Sequence, residues 1–255
     1  MLKIESLTKR FGGLAAVNDV SIEFGAHQIN AIIGPNGAGK TTFFNLVAGA
    51  MAPSAGRIEF KGTDIAGLAP DRIARLGIAR TFQTTMLFEE STVLDNLIVG
   101  HRLRTEARLW DVIVNSKRLR RDEKRCRDKA EQTLEFVGLS HLGQRYIADT
   151  SQEERKRVAF ALALATDPEL VLLDEPAGGI NPEETDSLAA MIRKMVDHGI
   201  TVCLIEHKMD MIMALADQIL VLDHGEMIAA GTPEQIRRDP VVIEAYLGSD
   251  EDADA

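Results

Sequence analysis

Hydrophobic and polar positions alternate along much of the first part of the chain, in short segments separated by glycine-containing turns. Leu2–Leu7, Val17–Phe24 and Arg57–Phe60 show this period of two, which is typical of strands with one buried face. Asn30–Ile33 is apolar almost without interruption, which predicts a strand buried on both faces, as in a parallel sheet. A glycine-rich stretch follows, and the pattern over Thr41–Ala50 then predicts a helix.

Two more apolar segments, Leu170–Leu173 and Val202–Ile205, lie late in the chain, and a helical pattern over Glu183–Val196 separates them. This strand–helix–strand spacing indicates right-handed crossovers in a parallel sheet. The interval from Asn96 to Leu164 has no strong strand pattern and is rich in Arg, Lys, Glu, Leu and Ala, which predicts a helical subdomain inserted into an α/β core. Residues 249–255 are predicted to form an acidic tail.

Composition narrows the class of protein. The 255 residues are 45% hydrophobic, which excludes a disordered chain and a disulfide-stapled miniprotein. The net charge of −10 repels a phosphate backbone, so we expect no nucleic acid among the partners. No apolar run approaches the roughly 20 residues needed to cross a bilayer. We therefore expect a soluble intracellular protein, whose role at a membrane would depend on a partner that spans it.

Two further features of the sequence receive no firm function. Cys126 and Cys203 lie far apart and match no metal-binding spacing, which is typical of cysteines without a chemical role in a reducing cytosol. The segment Lys117–Lys129 is strongly basic, and it fits either a solvated helix face or a docking surface for an acidic partner or lipid headgroups. Its basic residues are Lys117, Arg118, Arg120, Arg121, Lys124, Arg125, Arg127 and Lys129.

The glycine-rich stretch matches the phosphate-binding loop G-x-x-x-x-G-K-[ST] at every fixed position, and it has the required context between a buried strand and a helix. Glycines let backbone N–H groups turn toward an anion, and the helix N-terminus favours negative charge. In such a loop Lys40 reaches the β- and γ-phosphates, and the Thr41 hydroxyl ligates Mg²⁺. The residues expected to bind nucleotide here are Gly34, Asn36, Gly37, Gly39, Lys40, Thr41 and Thr42.

A carboxylate pair, Asp174-Glu175, directly follows the apolar run Leu170–Leu173. Adjacent side chains at a strand end point in different directions, so one carboxylate can hold Mg²⁺ while the other faces an attacking water. A helix N-cap is the alternative explanation, because Pro176 follows the pair. Beside a phosphate-binding loop, the pair indicates nucleoside triphosphate hydrolysis.

With these two motifs the chain resembles the ATP-binding cassette (ABC) ATPases over nearly its whole length. The resemblance implies an α/β fold with a P-loop NTPase (RecA-like) core, an N-terminal antiparallel β subdomain and an inserted helical subdomain at about 86–160, within one domain spanning 1–248. It also implies ATP and Mg²⁺ as ligands. The alternative of a nucleotide kinase, which shares the phosphate loop, is disfavoured because Glu175 directly follows Asp174.

Further residues acquire roles through this resemblance. Gln83 is similar to the family's glutamine that senses Mg²⁺ and the attacking water, so it counts as both a metal and a catalytic candidate. His207 is similar to the switch histidine that contacts the γ-phosphate and the catalytic carboxylate. Phe11 matches the aromatic residue that stacks on adenine. The segment Ala177–Pro182 resembles the loop that crosses to a partner cassette.

One motif departs from the family pattern. The signature, close to L-S-G-G-Q, binds the γ-phosphate held by the opposite subunit, and the alignment places Thr150–Glu154 there. Ser151 is retained, but both glycines are replaced, and Glu153 stands where a backbone N–H would approach phosphate. A side chain obstructs that approach and its charge repels the phosphate. We therefore expect a second cassette with a good signature as partner, with a heterodimer favoured over a homodimer.

A subfamily resemblance narrows the expected function. Gly77–Gln83, Thr92–Leu97, Ile205–Met209 and Ala245–Gly248 are similar to segments in the cassettes of branched-chain amino-acid importers. This implies a subunit on the cytoplasmic face of the plasma membrane, bound to integral-membrane permease subunits near Gln83 and indirectly dependent on a solute-binding protein. The alternatives are the ATPase of a lipid or polysaccharide exporter and a soluble ABC ATPase without a transport role.

Overall fold

The structure is a computed structural model, which describes residues 1–81, 87–102 and 117–251. For residues 182–183 and 247–251 it describes the backbone only. Its strands are β1 (Leu2–Phe11), β2 (Leu14–Phe24), β3 (Ile29–Ile33), β4 (Ala55–Phe60), β5 (Thr63–Asp64), β6 (Ile78–Thr81), β7 (Leu170–Asp174), β8 (Thr201–Ile205), β9 (Gln218–Asp223) and β10 (Glu226–Gly231). Its α-helices are α1 (Lys40–Val47), α2 (Pro70–Leu76), α3 (Val93–His101), α4 (Lys117–Phe136), α5 (Gln152–Ala165), α6 (Pro182–Asp197), α7 (Met209–Leu215), α8 (Pro233–Ile236) and α9 (Pro240–Glu251).

The chain divides into two units. The first contains residues 1–73 and 170–255, and the second contains residues 74–169. The second unit includes the interval in which the sequence predicts a helical subdomain, and its described helices α3, α4 and α5 pack against one another. Helix α9 continues to Glu251, inside the predicted acidic tail, and residues 252–255 lie outside the described part.

The first unit contains two sheets. One is antiparallel in the order β2-β1-β4-β5, and its strands β1, β2 and β4 contain the three alternating segments that the sequence predicts as strands. In the other, strands β9, β3, β8 and β7 run parallel, with β10 antiparallel at the β9 edge. Every residue of β3, β7 and β8 is buried, as expected for parallel strands covered on both faces.

The predicted helix Thr41–Ala50 is shorter in the structure, where α1 ends at Val47. The backbone N–H of Ala48 closes the last turn, and Gly49 takes a positive φ of 73°. A Cβ at Gly49 would lie 2.3 Å from the carbonyl oxygen of Leu68, so the position suits glycine. A glycine with a positive φ directly after the C-cap is a common local end of a helix, and the predicted end at Ala50 missed this signal.

Both cysteines are buried and free, and burial raises the pKa of Cys203 to about 12. A buried thiol with a raised pKa is a poor nucleophile. In the described part of the chain, no helix is long and apolar enough to span a membrane.

Phe24 is fully buried at the end of β2, so we expect Phe24→Ala to destabilise the first unit by about 3–5 kcal/mol through loss of contacts and a cavity. Urea unfolding measures this loss. Phe88→Ala is the control, because the Phe88 side chain is 60% exposed and its removal should change stability by only about 0.5 kcal/mol. Equal effects of the two substitutions would contradict the assignment of Phe24 to the core.

Candidate active site

The carboxyl ends of three neighbouring strands meet at one edge of the parallel sheet. Strand β8 lies between β3 and β7, with Ile32 opposite Ile205 and Ile205 opposite Asp174. The phosphate-binding loop leaves β3, Glu175 follows β7, and His207 follows β8 two residues after its end. Parallel register therefore brings together three segments that are far apart in sequence, at the edge where α/β sheets bind ligands.

Close backbone neighbours explain two of the loop glycines. Gly34 has a φ of 149°, and a Cβ there would lie 2.0 Å from the Leu222 carbonyl oxygen. Gly39 has a φ of 95°, and its Cβ would lie 2.2 Å from the Ala16 carbonyl oxygen. Gly37 is different, because it is exposed and a Cβ there would meet no atom within 4 Å. The loop is thus held at both ends, and its middle faces open space.

Helix α1 begins at the end of this loop with unsatisfied donors. Its N-cap, Gly39, offers no side-chain hydrogen bond to the first turn. The N–H groups of a first helical turn have no intrahelical partner, and they bind anions when no side chain caps them. Thr41 is exposed and Thr42 half-buried in this turn, so the Thr41 hydroxyl is accessible beside these donors.

Lys40 is buried at this point, with only 6% of its surface exposed. Its ammonium Nζ donates to the carbonyl oxygens of Gly34 at 2.7 Å and Pro35 at 2.8 Å. Burial lowers the pKa of Lys40, and the nearby carboxylates of Glu175 and Asp174 oppose that shift. The same carboxylates place Lys40 within electrostatic reach of the end of β7. A phosphate in the loop would compete with two carbonyls for this ammonium.

Glu175 and His207 contact each other directly. The Nε2–H of His207 donates to Oε1 of Glu175 at 3.1 Å, and the backbone N–H of Glu175 donates to the Ile205 carbonyl at 2.9 Å. Glu175 has a φ of 48°, a conformation that costs a non-glycine residue about 1–3 kcal/mol and occurs often at functional sites. Asp174 precedes it at the strand end and is 8% exposed.

The N-cap explanation of Asp174-Glu175 is not supported. No helix starts after the pair until Pro182, and Asn181 is the residue that caps it. The Asn181 side chain accepts from the Glu184 N–H at 2.9 Å, and the Glu184 carboxylate accepts from the Asn181 N–H at 3.1 Å. The pair therefore does not cap a helix.

The residues around this centre have separate placements. Phe11 lies at the end of β1 with 48% exposure, and the ammonium of Lys9 is 5.2 Å from its ring centroid. The hairpin that holds Phe11 reaches the phosphate loop through Ala16, next to Gly39. Gln83 lies outside the described residues.

Ser151 belongs to the second unit, where it is the N-cap of α5. Its hydroxyl accepts from the Glu154 N–H at 3.1 Å, and the Glu154 carboxylate accepts from the Ser151 N–H at 2.7 Å. The backbone hydrogen bond from Ser151 lowers the pKa of Glu154. In the described structure, the hydroxyl expected to contact phosphate is therefore engaged as a helix cap.

The side chains after Ser151 do not neutralise Glu153 closely. Arg155 donates to the Glu89 carboxylate at 3.1 Å and to the Ala148 carbonyl at 3.1 Å. The guanidinium of Arg157 comes within 4.0 Å of the Glu153 carboxylate, and it also donates to the Val137 carbonyl at 2.7 Å. The distance between Arg157 and Glu153 is thus at the upper limit for an ion pair, so Arg157 balances the charge of Glu153 weakly.

Sequence reasoning assigned no role to three residues that contact this site. Glu206 is buried with 3% exposure and accepts from the Ala177 N–H at 2.7 Å. Lys208 reaches the Ile180 carbonyl at 3.1 Å. Burial raises the pKa of Tyr246 to about 12, and a hydrogen bond with the Gly34 backbone opposes the shift. An acid between a buried strand and His207 was a visible signal for Glu206, whereas the contact of Tyr246 is visible only in three dimensions.

The donor set near Lys40 suits magnesium. Thr41 supplies a hydroxyl oxygen and Asp174 a carboxylate, and Mg²⁺ prefers such oxygen ligands together with phosphate oxygens and water. Within the described residues no group of three or more His, Cys, Asp or Glu side chains could hold a metal alone. A magnesium ion here would therefore depend on nucleotide oxygens for part of its coordination.

Comparisons with known proteins agree with this geometry. A family model for "ABC transporter" matches residues 17–178, and one for "Branched-chain amino acid ATP-binding cassette transporter" matches residues 226–252. The high-affinity branched-chain amino acid transport ATP-binding protein BraF of Pseudomonas aeruginosa is 42% identical, covering 97% of this chain and 98% of that protein. Escherichia coli LivG, described in the same words, is 41% identical with the same coverage.

Solved structures show the same fold. A nucleotide-free ATP-binding cassette from an ABC transporter superposes with a TM-score of 0.83 at 33% identity, covering 96% of this chain and 98% of that chain. A structure of the ADP conformation of an ATP-binding cassette of an ABC transporter gives a TM-score of 0.84 at 33% identity, covering 97% of this chain and 98% of that chain.

We expect Lys40→Ala to lower the affinity for ATP by about 10- to 100-fold, because a charge-assisted contact to phosphate is lost. Isothermal calorimetry with Mg²⁺ measures the affinity. Lys124→Ala, which removes an exposed cation from α4, is the control and should bind ATP like the parental chain. Parental affinity in Lys40→Ala would contradict the role of the loop.

Proposed function

The chain belongs to the ABC transporter family and is an ATPase coupled to transport, and we propose that it energises an importer of branched-chain or other hydrophobic amino acids. The fold class and the family resemblance predicted from the sequence are confirmed. The names of BraF and LivG and the C-terminal match at 226–252 support the choice of solute. The contact of His207 with Glu175, at the strand edge that also holds the phosphate loop, is the single observation that supports hydrolysis best.

Each residue of the proposed site has a distinct role. Lys40 and the first turn of α1 bind the β- and γ-phosphates, and Phe11 stacks on adenine. Thr41, Asp174 and Gln83 hold Mg²⁺, which when bound neutralises charge on the phosphates. Glu175 accepts a proton from the attacking water as general base, and His207 holds its carboxylate in position. Ser151 of this chain would contact the γ-phosphate of the nucleotide that the partner cassette binds.

Family members of this kind work with membrane permeases. We place this chain at the cytoplasmic face of the membrane, bound to permease subunits that receive the solute from a solute-binding protein. Reconstitution tests the whole proposal. The chain, assembled with the permease, cassette and solute-binding protein that co-purify with it, should drive ATP-dependent uptake of labelled leucine into vesicles. Outward movement of lipid or polysaccharide without leucine uptake would favour the exporter alternative and contradict the proposal.

The signature segment favours an asymmetric heterodimer. The half-site formed by Lys40, Asp174, Glu175 and His207 has its expected residues at one edge. The contribution that this chain makes to the opposite half-site contains Glu153, whose partner Arg157 is 4.0 Å away. A carboxylate there repels phosphate, so nucleotide held by the partner's lysine should turn over more slowly than nucleotide held by Lys40.

We expect Glu175→Gln to keep the parental ATP affinity but to lower turnover by at least about 100-fold, because the amide cannot accept the proton of the attacking water. Phosphate release in the assembled transporter measures turnover, and calorimetry measures affinity. Glu135→Gln, an exposed change on α4, is the control. Turnover at the parental rate in Glu175→Gln would contradict the role of Glu175.

Restoring the signature should raise turnover at the partner's site. In a Glu175→Gln background, which silences this chain's own site, we expect Gln152→Gly with Glu153→Gly to increase the remaining hydrolysis. The matched variant Glu153→Ala removes the charge but keeps a Cβ, so it separates repulsion from obstruction. If neither variant increases turnover, Glu153 is not a handicap and the case for asymmetry fails.

A further inference from the structure

Glu206 is a buried carboxylate that joins two loops at the edge of the sheet. It follows β8 directly, and only 3% of its surface is exposed. Its Oε1 accepts from the Ala177 N–H at 2.7 Å, and its Oε2 accepts from the N–H groups of His207 at 2.6 Å and Lys208 at 3.4 Å. The carboxylate thus binds the start of the 177–181 loop and the backbone around His207 at the same time.

Lys208 makes a second connection between the same two segments. Its Nζ donates to the Ile180 carbonyl at 3.1 Å and to the Thr185 hydroxyl at 2.9 Å. The Thr185 hydroxyl in turn donates to the Asn181 carbonyl at 2.8 Å. Lys208 therefore holds the far end of the 177–181 loop, whereas Glu206 holds its beginning.

His207 lies between these two residues in sequence, and Glu175 lies just before the loop that they hold. The backbone continues the connection, because the Glu175 N–H donates to Ile205 at 2.9 Å and the Gly178 N–H donates to the Glu175 carbonyl at 3.1 Å. A shift of the loop would therefore move the backbones of His207 and Glu175 together. Reactions that need a positioned base are sensitive to displacements of about 1 Å.

We propose that Glu206 and Lys208 are positioning residues that bind the 177–181 loop to the segment around His207, so that the position of the loop sets the geometry of the His207–Glu175 contact. This inference rests on the proposed function, in which Glu175 is the general base.

The chemistry of the two residues argues against a purely structural role. Burying a carboxylate costs free energy that an apolar side chain of similar size would avoid. Here the carboxylate is satisfied by three backbone N–H groups that belong to two different segments. Such a group fixes one relative arrangement of its partners, because a shift of either segment leaves a buried charge without its donors.

The test uses Lys208→Met, which keeps the length of the side chain and removes its donor, and Glu206→Gln, which replaces an acceptor oxygen by an N–H₂ group. In the assembled transporter we expect kcat for ATP to fall by about 10- to 100-fold, with KM for ATP changed by less than about threefold. The matched controls Lys124→Met and Glu135→Gln, both exposed on α4, should keep the parental kcat and KM.

A second measurement separates positioning from stability. In a His207→Ala background, measured in single turnover, Lys208→Met should lower the rate by less than about twofold, because it acts through the missing histidine. Thr185→Val, which removes one acceptor of Lys208 and leaves Ile180 in place, should give a smaller loss than Lys208→Met. Thr185→Val provides a milder variant if Glu206→Gln fails to fold.

Three outcomes would overturn the inference. They are a lower melting temperature with parental kcat, a rise in KM without a fall in kcat, and an equal effect of Lys208→Met with and without His207. In each case the parental assembly still hydrolyses ATP, so the proposed function survives. Absence of ATP turnover in the parental assembly would instead contradict the proposed function itself.

Discussion

The parallel register of β3, β8 and β7 is the constraint on which the active site depends. The three strands are neighbours, and their carboxyl ends lie at one edge, so the phosphate loop, His207 and Glu175 meet there. Register in a parallel sheet is set by complete burial of the strands on both faces, because a slip would disturb the packing of every residue. The chemistry is thus held by the apolar core beneath it.

Within that frame, the nucleotide-binding loop has two opposite requirements. Its ends must be rigid, and Gly34 and Gly39 satisfy this by allowing backbone from other segments to approach within about 2 Å of where a Cβ would be. Its middle must stay accessible, and Gly37 has open space around it. Lys40 meanwhile donates to two loop carbonyls, which keeps its buried ammonium satisfied.

The signature segment shows how a fold can persist while chemistry changes. Ser151 and Glu154 form a capping box, so α5 starts correctly even though the glycines of the family motif are absent. The cap depends on a hydroxyl and a carboxylate three residues apart, and not on what stands between them. Glu153 therefore costs the helix little, and the effect proposed for it concerns phosphate binding at the partner site.

The sequence alone determined the elements whose cause is local. The phosphate loop, the carboxylate pair and the apolar strands could be predicted because a few adjacent residues encode each of them, and the structure agrees with all three strands that form the site. The end of α1 at Val47 was predicted wrongly, although its cause is local too, because Gly49 ends the helix with a positive φ.

Only the tertiary structure decided which distant groups contact one another. The binding of the 177–181 loop by Glu206 and Lys208 joins segments about thirty residues apart in sequence. Arg155 pairs with Glu89 and not with its neighbour Glu153, because the geometry of a helix start directs successive side chains to different sides. Sequence periodicity records the face on which a residue lies, whereas the partner it meets depends on how separate segments pack.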